Sequence, residues 1–181
     1  MAPQTFLNLA QGVTGTLPTG NYVQGGIQVA DQWRLANNTS AGTNINPLTD
    51  LERVNSDGFG RIGTGMTVSS GIFTFPNTGI WQIEFFASAT IQADDNVQLR
   101  LQTTTNYSTG PTWSSAANID MSGDGSSTGS NASSNCFLFD VTDVAERKCK
   151  FMIESVGGNS LFNGNNQESF SSFTFTRLGD T

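Results

Sequence analysis

A chain of 181 residues with net charge −7 and no histidine has room for one domain and an arm, and a domain of that size buries roughly two thirds of its unfolded surface. Without histidine it lacks the commonest general base, the usual zinc ligand and the physiological pH switch, so histidine-dependent catalysis is excluded. Six arginines spread singly and only two lysines argue against a nucleic-acid partner, because phosphate binding needs clustered Lys and Arg.

Gly, Ser, Thr, Asn and Phe dominate, the profile of many short strands joined by polar turns. No hydrophobic run approaches the roughly 20 residues of a membrane span, and the start has no basic-then-apolar signal pattern. The expectation is a soluble protein made in a cytoplasm, with no membrane partner.

Residues 1–30 have scattered glycines and single apolar residues far apart. This predicts an arm that orders only against a partner, or else a disordered leader; the head domain is expected over 31–181. Gln32–Leu35 reads as a first short strand, and Thr49–Asn55 as a turn of helix. Gly63–Ser70 and Gly71–Pro76 read as paired strands around Ser70-Gly71. After a turn at Pro76–Gly79, Gly79–Thr90 is the longest strand, with Trp81, Ile83 and Phe85 alternating against Gln82 and Glu84. A break at Asp94-Asp95 leads to Asn96–Thr103, whose Val97, Leu99 and Leu101 alternate with Gln98, Arg100 and Gln102 and leave one wet face.

Thr112–Met121 is a weaker strand, and Ser122–Asn135 a Gly/Ser/Asn tract that reads equally as loop or exposed strand. Cys136–Val141 is apolar on both faces and is expected to be central, with Cys149–Val156 following. A hairpin centred at Thr142-Asp143 would set Cys136 opposite Cys149, within disulfide geometry. Apolar strands in a domain of this size instead favour two reduced core cysteines. The basic run Arg147-Lys148-Cys149-Lys150, offset by Asp140, Asp143 and Glu146, reads as a solvated turn. The last strand carries Phe173 and Phe175, and that apolar weight requires the middle of a sheet.

Together these predict an all-β, antiparallel two-sheet jelly-roll sandwich, with an immunoglobulin-like sandwich as the competing fold. Phe86 leaves the long strand opposite Trp81, Ile83 and Phe85; Leu138 opposes Phe137 and Phe139, and Phe170 opposes Phe173 and Phe175. Apolar side chains on both faces predict self-association, with Phe86, Leu138 and Phe170 as a trimer interface; bulges or loop cover within one chain are the alternative.

Chemistry is sparse. The serines have no Gly-x-Ser-x-Gly elbow and no histidine beside them. Asp94-Asp95 reads as a turn, since adjacent strand residues cannot face each other across a cleft. Asp120 and Asp124 have the start of a calcium-loop spacing without its further acidic ligands. No catalytic residue, cofactor or metal is assigned.

The Gly71-x-Phe-x-Phe-Pro-x-x-Gly-Ile-Trp81 segment, the Asp-containing turn at Phe139–Asp143 and the closing Ser-Phe-Ser-Ser-Phe-Thr-Phe175 strand resemble the tumour necrosis factor-like superfamily, including complement globular heads. The likeness covers roughly Trp33–Leu178; Tyr107–Asn135 matches nothing in it. It implies a ten-strand jelly roll that assembles as a trimer. Gly12-Val-Thr-Gly-Thr-Leu-Pro18 is similar to a stretch found in phage tail-fibre and other virion proteins, although Ile27-Gln28 stands where another Thr-Gly is typical. The two resemblances imply a non-enzymatic phage virion protein, a homotrimer on the virion surface made in the host cytoplasm. In that reading it is an accessory capsid decoration or knob. Val13, Leu17, Pro18 and Tyr22 would dock it on the major capsid protein or another virion protein. The alternatives are a receptor-binding tail-fibre tip, touching a host surface glycan through Thr103–Thr112 or Ser122–Asn135, and a bacterial surface adhesin. A carbohydrate-active enzyme is the weakest reading.

Overall fold

The computed structural model describes residues 26–40, 44–156 and 159–181. Twelve strands run through them: β1 (Ala30–Leu35), β2 (Thr39–Ser40), β3 (Leu51–Arg53), β4 (Thr67–Ser69), β5 (Ile72–Thr74), β6 (Gly79–Ile91), β7 (Asn96–Thr104), β8 (Ser114–Ser122), β9 (Gly129–Val141), β10 (Lys148–Val156), β11 (Leu161–Phe162) and β12 (Ser172–Gly179). The only helical element among the described residues is a 3-10 turn at Tyr107–Thr109. One sheet has the order β2-β11-β6-β12-β1-β3 with β9 paired to β6; the other runs β4-β5-β10-β7-β8. The strand pairs in both are antiparallel, which makes the fold a two-sheet jelly-roll sandwich.

Alternation decides what lies between the sheets. Along β6, Trp81, Ile83, Phe85, Ala87, Ala89 and Ile91 are all fully buried. They meet Phe73, Leu99, Leu101, Phe151 and Ile153 of the other sheet, along with Phe173 and Phe175 of their own. Phe151 lies 4.2 Å from Phe173, centroid to centroid, and Phe73 lies 4.8 Å from Phe175. Each such ring contributes about 1.5–3 kcal/mol by leaving water. The closing strand β12 sits between β6 and β1, so its aromatic face has no free edge. The β4–β5 hairpin turns on Ser70 (φ 49°) and Gly71 (φ 76°), the left-handed pair that a two-residue hairpin loop requires. A Cβ at Gly71 would also stand 2.4 Å from the Leu48 carbonyl oxygen.

Four expectations need correction. Thr49–Asn55 is no helical turn: Leu51–Arg53 pairs with β1 as a strand, because Trp33, Arg34 and Leu35 offer it a free edge. Cys136–Val141 is not central. It belongs to β9, whose partner in the sheet is β6 alone, and its second apolar face is solvated. Cys136 and Cys149 are not hairpin partners, because β9 and β10 lie in different sheets. Both are free thiols; Cys149 is buried, where desolvation pushes its pKa up, whereas Cys136 is exposed. Lys148 and Lys150 are not in a solvated turn but buried in β10, at 7% and 8% exposure. The undecided tract resolves into a connection to residue 128, followed by the exposed half of β9.

Asp31 fastens one end of the sandwich. Its buried carboxylate accepts from Trp33 Nε1 (3.0 Å), the Met66 amide (2.8 Å), the Gln32 amide (3.1 Å) and Arg53 Nε (3.0 Å). Arg53 also stacks on Trp33, 4.6 Å from the ring centroid. One side chain thus joins β1, β3 and the approach to β4. Asp31→Asn removes the charge that Arg53 faces, and it is expected to cost about 3 kcal/mol, read as a lower urea midpoint with an unchanged slope.

Candidate functional site

Since odd positions of β6 point inward, its even positions Ile80, Gln82, Glu84, Phe86, Ser88 and Thr90 form the outer face of the first sheet. Phe86 stands between Ser172 of β12 and Ser134 of β9, while Leu138 pairs with Gln82. The three residues expected at an interface are all exposed: Phe86 at 38%, Leu138 at 59% and Phe170 at 42%. Phe86 and Leu138 share this face, four register positions apart, roughly 13 Å along the strands. Phe170 precedes β12 by two residues, next to Ser172, the partner of Phe86.

Two more exposed apolar residues, Ile62 and Leu178, each at 48%, adjoin the Leu138 end of the face. Ile62 exchanges both backbone hydrogen bonds with Ala30, whose other neighbour is Thr176 of β12. Leu178 lies at the register shift between Arg177 and Gly179. Sequence reasoning missed both: Ile62 stands alone in the Gly-rich run Gly60-Arg-Ile-Gly63, and a bulge removes Leu178 from strand period. The only sequence signal was their apolar character near strand ends.

The band between the two apolar ends is polar. Glu84 is exposed, with Thr174 and Cys136 across from it. Asp140 is also exposed, and Arg34, the outward cation of β1, is wholly buried against Glu52. At the margin, β9 approaches β8: the Asn135 and Asn131 side-chain amides donate to the Asn118 and Ser122 carbonyls at 2.9 and 2.8 Å. These amides occupy backbone acceptors that an added strand would otherwise use. Val13, Leu17, Pro18 and Tyr22 lie outside the described residues.

The acidic positions serve local structure. Asp124 accepts backbone N–H bonds from Ser127 and Ser126, both at 2.9 Å, which hold its carboxyl down to about 2. Asp120 accepts from Asn96 and Gln98, and Asp95 from Ser160. Asp120 and Asp124 therefore sit in separate hydrogen-bond sets, and among the described residues no three His, Cys, Asp or Glu are grouped to hold a metal. Of the loops expected to meet glycans, Thr103 and Thr104 end β7, and residues 129–135 belong to β9.

On the outer face of the second sheet, the segment after β7 folds over β10. Lys148 Nζ donates to Thr74 Oγ1 (3.0 Å) and the Val144 carbonyl (2.7 Å), under Tyr107. Lys150 Nζ lies 4.4 Å from the Trp113 ring centroid and forms no ion pair among the described residues. Desolvation lowers the pKa of both amines. The unfolded chain therefore binds more protons between the lowered value and the ordinary lysine value, so stability climbs as pH rises through that window. Lys150→Met keeps the stem and deletes the charge. It is expected to raise the thermal midpoint at pH 7 and to flatten that alkaline climb, as read by calorimetry from pH 7 to 10.

No protein-family model matches the chain, and no curated protein matches it by sequence. Solved structures do match by shape. Murine APRIL aligns with TM-score 0.57 and 14% identity over 83% of this chain and 98% of its own. Eiger TNF from S. frugiperda aligns with TM-score 0.56 and 11% identity over 84% and 94%. PRD1 vertex protein P5 covers 86% of this chain and 100% of its own at 13% identity, but its TM-score of 0.46 is too low to carry weight. At such identities shape speaks for architecture alone, and on that ground the chain is a tumour necrosis factor-like jelly roll.

Proposed function

We propose that the protein is a non-enzymatic structural component of a phage virion, a homotrimer carried on the particle surface as a capsid decoration or knob. The observation that bears most weight is the outer face of the first sheet. A sandwich needs one dry face per strand, yet β6, β9 and the approach to β12 hold Phe86, Leu138 and Phe170 in water. Covering such side chains with a second copy favours association by a few kcal/mol each, at about 25 cal/mol per Å². The tumour necrosis factor-like architecture supports three copies, and the likeness of Gly12–Pro18 to virion proteins supports the particle as the setting. In this reading residues 1–30 form the docking arm, with Val13, Leu17, Pro18 and Tyr22 against the major capsid protein or another virion protein. A receptor-binding fibre tip is the second reading, favoured by the exposed polar connection 122–128.

Two measurements test this. Phe86→Ser combined with Leu138→Ser is expected to leave the strand signature in circular dichroism intact while shifting the sedimenting mass from three copies to one. A wild-type protein that sediments as one copy at tens of micromolar ends the trimer reading. Because Val29 is buried and Ala30 pairs with Thr176, a truncation that spares the sheet stops at residue 25. The 26–181 protein is expected to stay trimeric and to lose binding to particles lacking the wild-type protein; retained binding would remove the arm from the docking role.

A further inference from the structure

The segment Asn55–Asp57 and the segment Asn166–Gln167 wall a recess of about 450 Å³ over the β1–β3 end of the first sheet. It is lined by Glu52, Asn55, Ser56, Asp57, Asn166 and Gln167. That size falls within the range of roughly 300–1,000 Å³ typical of small-ligand sites. Arg34 lies beneath, its side chain fully buried. Its Nε donates to Glu52 Oε1 (2.7 Å), Nη1 to Ser56 Oγ (2.8 Å) and Nη2 to Asn55 Oδ1 and the Asn166 carbonyl. Ser56 Oγ in turn donates to the Gln167 carbonyl at 2.6 Å, joining the two segments. Asn165 Oδ1 accepts from the Gln167 amide at 2.6 Å and the Glu168 amide at 3.2 Å, fixing the second wall.

This framework uses backbone groups, the Arg34 cation, one Glu52 oxygen and the side chains of Asn55, Ser56 and Asn165. It leaves the side chains of Asp57, Asn166 and Gln167, together with the second Glu52 oxygen, directed to no structural hydrogen bond among the described residues. A carboxylate beside carboxamides that both donate and accept matches a pair of neighbouring hydroxyls, each of which is donor and acceptor at once. No apolar side chain lines the recess, which disfavours a lipid or aromatic ligand. The Arg34 charge is committed to Glu52, so an anionic ligand would meet Glu52 and Asp57 with no free cation. With no third carboxylate grouped there, a hard metal lacks ligands.

We infer that this recess binds a neutral saccharide, a hexose unit of an uncharged glycan. The backbone of both walls is fixed before binding, so the ordering cost left for the complex is that of the Asp57, Asn166 and Gln167 side chains. The inference goes beyond the virion reading and does not depend on it. Glu52 stands on β3, three strand spacings, roughly 14 Å, from β6, which carries Phe86, while Asn166 and Gln167 share the approach to β12 with Phe170. It also places the glycan contact away from 103–112 and 122–135.

The test is saturation-transfer NMR on the full chain with methyl glycosides of glucose, galactose, mannose and N-acetylglucosamine, with the methyl glycoside of N-acetylneuraminic acid and spermidine as charged probes. The expected result is transfer to at least one neutral glycoside, at least about tenfold weaker binding in Asp57→Ala/Gln167→Ala, and none to the charged probes. Both substitutions change side chains that hold no loop together, and circular dichroism checks the fold of the double variant. The inference is overturned by no transfer to any neutral glycoside, by undiminished transfer in the double variant, or by spermidine binding there in preference to sugar. Sedimentation of the same samples reports the copy number separately, so loss of the trimer reading and loss of this one are told apart.

Discussion

Everything in this molecule depends on a single aromatic layer between two sheets. Phe151 of β10 reaches the rings of Phe73, Phe85, Phe173 and Phe175, at centroid distances from 4.2 to 6.5 Å. Three of these belong to β6 and β12 of the opposite sheet, so the layer holds the sheets together as well as excluding water. Because successive strand residues face opposite ways, choosing this layer also chooses what faces out. A one-residue slip of β12 would put Phe173 and Phe175 in water. The outward placement of Phe86 is therefore the remainder of a choice made for Phe85, and its exposure is a cost that only another surface can offset.

Short strands need a different kind of hold. β3 has three residues, too few to be kept by burial alone, and it is fixed by charge on both sides of β1. Asp31 reaches Arg53, and Arg34 reaches Glu52. Isolated ion pairs of this sort are a weak source of stability. Here each is built into a larger polar set, Asp31 with Trp33 and the Met66 amide, Arg34 with Ser56, Asn55 and the Asn166 carbonyl. The pairs act as pins for register, and the second one shapes the recess at the sheet margin.

Strand period made much of this legible in the sequence. Gly79–Thr90, Asn96–Thr103 and the Phe173/Phe175 strand stand where their alternation placed them, the turn at Ser70-Gly71 included. The same period put Phe86 and Leu138 on the outer face of the first sheet. What period cannot give is the partner of a strand. Two apolar faces on Cys136–Val141 suggested a central position, but they mark an edge strand with one face to the core and one to water. Apolar neighbours likewise suggested that Cys136 was buried, and its outward parity alone settles otherwise. The recess was not legible at all, since Arg34 meets Asn166 across 132 positions, a distance at which composition and period are silent.

The place of β12 has a consequence for how the molecule is made. Gln32 and Thr174 are hydrogen-bonded neighbours 142 positions apart, so the first sheet stays split until β12 inserts. Until then β6 and β1 each show an unpaired edge with aromatic side chains beside it, the kind of species that self-pairs before it closes. Closure of so long a loop sets a slow search. Folding yield thus rests on how quickly β12 threads between two waiting strands.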